Sequence, residues 1–222
     1  MKMENNMKYE ITTIEHPVYT KLHRIRALVN VGADVKAGDL GGYVENALNL
    51  SQNGSCWVYD DARMHDNSMM HDNSMMLGNS VMYDHSMMLG NSMMLGYSQM
   101  HGYSMMRDKS QMFDKSTMFD YSQMFGYSQM FGYSRLHDYS TMFDHSRMHD
   151  HSRMLGNSTM HGNSVMRRYS TMFDDAQMHD DSQMHGYSEM HDHSVMRDNS
   201  QMRGDAVMRG NEVLSGDRVL GG

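Results

Sequence analysis

The sequence predicts an all-β chain: a single-stranded β-solenoid of hexapeptide repeats, three-sided with about 18 residues per coil, behind a small N-terminal β cap. Three observations carry this. From Met64 to Met208 every sixth residue is Met, with Leu136 the one exception. Val58 precedes this ladder, and Leu214 and Leu220 extend it. Four places after each ladder Met up to Met202 stands a small residue, Ser in most phrases and Ala at Ala176 and Ala206. Two places after it stands Asp or Gly, with Arg168 the exception. Finally, six is not a helical period. Residues six apart sit about 240° from one another around an α-helix, so no apolar stripe forms.

Six does suit a short strand and a corner. In Ser-x-Met-x, side chains alternate, so Ser and Met point to one side, large beside small. Asp or Gly and the residue after it make the corner, where positive φ is tolerated. Three phrases per coil give roughly nine coils about 4.8 Å apart, a rod of roughly 40–45 Å. A period of six fits a two-sided coil of two phrases equally well. The larger coil is favoured by Leu40-Gly41-Gly42-Tyr43-Val44, a ladder-like phrase whose Leu40 lies three phrase lengths before Val58.

Residues 1–39 differ in composition and read as the cap, with 40–222 as the solenoid. Lys8 to Thr13 and Leu22 to Val31 read as strands, and His16-Pro17 and Gly32-Ala33-Asp34 as turns. The cap would cover the open strand edge and core at that end, with Trp57 sealing the first coil. At the other end Glu212 and Arg218 replace the small inward residue. Charges do not enter an apolar core cheaply, so the regular stack is expected to end there, under a partner that could be another copy.

Composition narrows the function. The formal charge of −8 favours solubility and weighs weakly against non-specific nucleic-acid binding. The lone cysteine, Cys56, excludes an intrachain disulfide framework. MKMENNMKYE has no apolar run, which predicts a cytoplasmic protein without a secretory signal. No zinc-finger spacing, P-loop or dinucleotide fingerprint is present, so no cofactor and no metal site are expected. The Met ladder reads as packing. The Ser ladder reads as "small", since Ala replaces it freely, and no catalytic residue is assigned.

The residues flanking each Met point outward. Met75, Leu77, Met93, Leu95, Phe113 and Phe131 fall on one face of a three-sided coil. Phe119, Phe125 and Phe143 continue the apolar outer surface, and later phrases turn to His and Arg. Contiguous exposed apolar residues usually mark an interface. These nine are the interface candidates. The expectation is a non-enzymatic structural or interaction scaffold that self-associates, as trimer or filament, or binds a protein partner, with no membrane and no nucleic acid. A further reading takes corner carboxylates such as Asp114, Asp120, Asp138 and Asp144 as an acidic mimic of DNA that inhibits a DNA-binding protein. Against it, Asp is a good corner residue in its own right.

The phrases resemble the hexapeptide repeats of left-handed β-helix proteins. Leu22 to Leu28, then Gly38-Asp39-Leu40-Gly41-Gly42-Tyr43-Val44-Glu45, then Cys56-Trp57-Val58-Tyr59, resemble the N-terminal region of bacterial and phage hexapeptide-repeat proteins of polymer-forming or transferase-like type. This chain departs from them in using Met for Val and Ser for Ala. The resemblance implies a left-handed coil. It also implies an alternative activity, acyl transfer, which needs a placed His base and a cleft for the donor. No loop interrupts the hexads to build one.

Overall fold

A computed structural model describes residues 7–221. They form an all-β rod with three sheets of 12, 10 and 9 strands running along it, parallel apart from the N-terminal strands of the 12-stranded sheet. Beyond the N-terminal strands, each strand is a two-residue pair ending on a ladder position, such as Gln123–Met124 or Gln129–Met130. Each pairs with its equivalent three phrases on, as Met94 does with Met112. That settles the coil at three hexads and three sides. Following the chain, Arg63–Met64 lies on what is here face 1, Met69–Met70 on face 2 and Met75–Met76 on face 3.

The bonded backbone extends beyond these pairs. In one hexad, Gln123, Phe125 and Tyr127 donate their N–H groups to Ser140, Met142 and Asp144 of the next coil, and Ser128 closes the corner by donating to Phe125. Every second backbone group is thereby paired upward, and no helix is needed to return the chain.

The N-terminal strands continue face 1. β1 (Tyr9–Glu15) pairs antiparallel with β2 (His23–Ala27), and β2 pairs antiparallel with β3 (Leu40–Val44). β3 then pairs parallel with Arg63–Met64. β2 stops at Ala27, earlier than the sequence suggests. Val31 instead bridges Val35 across the Gly32-Ala33-Asp34 turn. Trp57 occupies an outward position yet is buried, because the ring of Tyr9 from β1 meets it edge-on at 6.4 Å. Lys8 is buried beneath the same edge, its Nζ donating to the carbonyl of Cys56 at 3.0 Å. Burial pushes the Lys8 amine down and the Cys56 thiol up.

One register expectation is corrected. Leu40 is not the rung beneath Val58. It is 46% exposed and pairs with Arg26, while Val44 is the buried rung and pairs with Met64. The coil from Val44 to Met64 is therefore longer by two positions than the regular coil from Met94 to Met112, and the bridge from Leu50 to Met70 spans the same lengthened turn. The extra residues sit in a turn built by Asn46 and buried Asn49. Asn49 Oδ1 accepts the N–H groups of Glu45 and Asn46, and its Nδ2 donates to the carbonyls of Asp66 and Ser68.

Inside the rod the ladder is fully buried from Val58 to Met202, and so is the Ser column. Five hydroxyls, those of Ser68, Ser74, Ser86, Ser116 and Ser152, donate to the carbonyl three residues back. Most of the others make no hydrogen bond. The inward Ser is therefore chosen for size: it leaves the axial space that three unbranched Met side chains per coil fill.

The corners carry two devices. Corner Asp residues adopt φ between 52° and 61°, and the carboxylate of one coil accepts the N–H of the corner residue in the next, as Asp114 does from Gly132 at 3.0 Å. At corner Gly residues the next coil comes closer. A Cβ on Gly102 would sit 2.9 Å from Asp120 Cα. The backbone bond just past that corner, Tyr103 to Asp120, is 2.6 Å, against 2.9 Å past Asp120. Asp reaches up to the next coil, and Gly lets it settle.

At the far end Glu212 and Arg218 stand exposed, as their charge requires. Glu212 turns back to accept the N–H of Arg209. Met208, Leu214 and Leu220 line an open hollow of about 250 Å³ there.

Candidate functional site

The inside of the rod repeats, so chemistry that varies along the chain lies outside. Each hexad presents the residue before Met, the residue after it, and the second corner residue. Parallel in-register pairing puts each of these under its equivalent one coil on, producing axial columns.

The structure distributes the nine sequence-predicted interface residues over three faces. Met75 and Met93 pair on face 3, with Gln111, Gln129 and Arg147 continuing their column. Leu77, Leu95, Phe113 and Phe131 form the adjacent column, as predicted, Phe113 and Phe131 stacking at 4.8 Å. Phe125 and Phe143 stack at 5.2 Å on face 2. Phe119 lies on face 1, between His101 and His137.

These rings turn their faces along the rod axis. His65, Tyr83, His101, Phe119 and His137 form one continuous stack with centroids 4.6–5.1 Å apart. At the corner between faces 1 and 2, Tyr103, Tyr121 and Tyr139 do the same. Stacked pairs of this kind contribute about 0.5–1.5 kcal/mol each beyond area burial. The ring faces are thus occupied within the chain, and only their edges meet solvent. Phe113, Phe119, Phe125, Phe131 and Phe143 are all half-buried.

The early coils differ. On faces 2 and 3 many of their outward residues are aliphatic: Met69, Met87 and Met105 on face 2, and Met75, Met93, Leu77 and Leu95 on face 3. Between Met69 and Met87 lies a hollow of about 370 Å³, walled by Tyr103 and by Leu48, which is 79% exposed. The sequence carries no signal for Leu48, because it sits in the lengthened first coil where hexad register is lost.

Electrostatics follow the same geometry. Burial within the ring columns lowers the imidazoles of His65, His101 and His137 below the ordinary histidine value, with nearby Asp carboxylates opposing it. His149 is lowered by burial and then by Arg167. His161 and His179 lie face to face at 5.0 Å with planes 4° apart. No group of three or more metal-binding side chains is present among the described residues. Many corner carboxylates are engaged by the next coil's backbone, as at Asp138 and Asp144. No helix among the described residues is long and apolar enough to cross a membrane.

Comparison with protein-family models and with curated proteins finds no match to this chain.

Proposed function

We propose that this chain is a non-enzymatic scaffold that associates with copies of itself through its outward faces. The carrying observation is the aliphatic surface of the early coils. On face 3 Met75, Met93, Leu77 and Leu95 fill two adjoining outward columns on consecutive coils, and on face 2 Met69 and Met87 form a separate aliphatic column, set apart from them by His71 and Asn73. Apolar patches of this kind favour protein contact. A second copy suits it because both rods carry the same rung spacing of about 4.8 Å. A column on one rod can therefore meet the same column on the other rung for rung, in a self-complementary interface.

Two further features support the reading. The hexads run without an inserted loop from Cys56 to Leu220, so no arm walls off a donor cleft. The inward hydroxyls are sealed from solvent and cannot meet a substrate.

The test is light scattering of the purified chain across a concentration series, with the Leu77→Ser/Leu95→Ser variant (face 3) and the Met69→Ser/Met87→Ser variant (face 2) beside it. Association of the parent, lost in at least one variant while the circular dichroism of both stays unchanged, is the expected result. A parent that stays monomeric throughout overturns self-association. Discrete trimers that also bind acyl-coenzyme A by calorimetry would favour acyl transfer instead.

A further inference from the structure

Along face 3 the outer chemistry reverses. Past Phe131 the column reads His149, Arg167, His185, Arg203, one basic or imidazole group per coil. Beside it run Arg147, Val165, Gln183 and Gln201. From Gln129 to Arg203 neither outward column of face 3 holds a carboxylate. This is in a chain whose net charge is −8, and in which Asp occupies about half of the corners.

The adjoining corner shows the same bias. Arg168 takes the place held elsewhere by Asp or Gly, and adopts φ 63°. For a long side chain that left-handed conformation costs about 1–2 kcal/mol. Its backbone N–H is held by Asp150, so that carboxylate is engaged at the backbone one coil below. The next two corner residues are Gly186 and Gly204, which leave the corner empty of side chains above Arg168. The result is an open hollow of about 440 Å³, walled by Arg168, His185, Tyr187 and Arg203. Tyr187 stacks on Tyr169 below, and the next residue in its column is Asp205, which carries no ring.

None of Arg167, Arg168 and Arg203 forms a salt bridge among the described residues. Arg203 reaches only the side-chain carbonyl of Gln201, at 2.6 Å. Burial lowers the imidazole of His185, and the positive charges of Arg167, Arg203 and Arg168 lower it further. In this column Arg167 and Arg203 stand two coils apart with His185 between them, and carboxylates, their usual partners, are missing from both outward columns of this face. Guanidinium groups bind oxyanions through paired N–H donors.

We propose that this hollow is a phosphate-binding site for a small ligand carrying more than one phosphate, held by Arg168 and Arg203, which wall it, with Arg167 one coil below His185 at its lower edge. The file from His149 to Arg203 gives several donors one coil apart, which suits linked phosphates better than one isolated group. Asp205, beside Gly204, limits the site on its upper side.

Isothermal titration with inorganic tripolyphosphate tests the assignment, at low and at moderate salt. Inorganic phosphate and a single-stranded oligonucleotide are the comparison ligands. Tripolyphosphate is expected to bind one per chain, more tightly than phosphate, and less tightly as salt rises. Arg167→Gln and Arg203→Gln are each expected to weaken it about tenfold. Arg168→Gly, which also relieves the backbone, should raise the melting temperature while weakening binding. Arg197→Gln, on face 2, should change nothing. No binding by the parent, or equal loss in Arg197→Gln, overturns the site. So does oligonucleotide binding without tripolyphosphate binding, which would mean diffuse attraction to a polymer. The result is independent of self-association, which the Leu77→Ser/Leu95→Ser variant reads separately.

Discussion

The inside and the outside of this rod obey different rules although they are built from alternate residues of the same strands. Met130 and Phe131 are neighbours in sequence. Met130 is fully buried, one of a column that scarcely changes over the length of the rod. Phe131 belongs to a column that runs from Leu through Phe to His and Arg. The inner column is constrained by volume, because three side chains per coil must fill one axial space. The outer column needs only a neighbour of compatible shape above and below. Selection for a surface can therefore act on every second residue while the fold is held by the others.

The contrast can be tested from both sides. The largest effect is expected inside. Met130→Ala removes a fully buried side chain with coils above and below it, and should cost about 2–5 kcal/mol, read by chemical denaturation. A cost below about 1 kcal/mol would mean that the core collapses around the gap and that Met is not there to fill it.

An intermediate effect belongs to the outer columns. Burial holds His65, His101, His137, His149, His161 and His185 below the ordinary imidazole value. The folded chain thus binds fewer protons than the unfolded chain once pH falls below about 6.5. Stability is fully present above that pH and declines as pH falls through it toward the lowered folded values. Melting temperatures measured from pH 8 to pH 5 should drop across that interval. A flat profile would show that the ring columns do not desolvate their histidines.

The smallest effect lies inside again, at the small position. Ser128 carries a buried hydroxyl without a partner. Ser128→Ala should leave stability unchanged within about 0.5 kcal/mol or raise it slightly. A loss above about 1 kcal/mol would mean that this hydroxyl is bonded in solution and that the Ser column is polar by need.

The fold was legible because the strongest signal, the Met period, is imposed by the core itself. The coil length required a second signal, and the one in the sequence misled in detail: Leu40 has the right spacing to Val58 but is exposed, and Val44 is the rung. The side-chain bonds of Asn49, which hold that coil's extra residues, leave no periodic trace. The same irregularity hid Leu48. The columns of face 3 could be assembled once three hexads per coil was adopted. What spacing could not show is that stacked rings cover one another's faces, which leaves the Phe positions as edges and shifts weight to the aliphatic early coils. Nor could it show that Arg168 would accept a left-handed corner with two glycines above it.

The coil length has a consequence for how such a chain can grow. Duplicating one phrase would preserve every inward residue and every corner, yet turn all later columns by one face, so that surfaces assembled over many coils would be cut and rejoined to the wrong neighbours. Duplicating three phrases would lengthen the rod and leave each face continuous. Repeat slippage in the gene is therefore neutral to the fold at either size but neutral to the surface only when a whole coil is copied. Relatives of this chain should differ in length by whole coils.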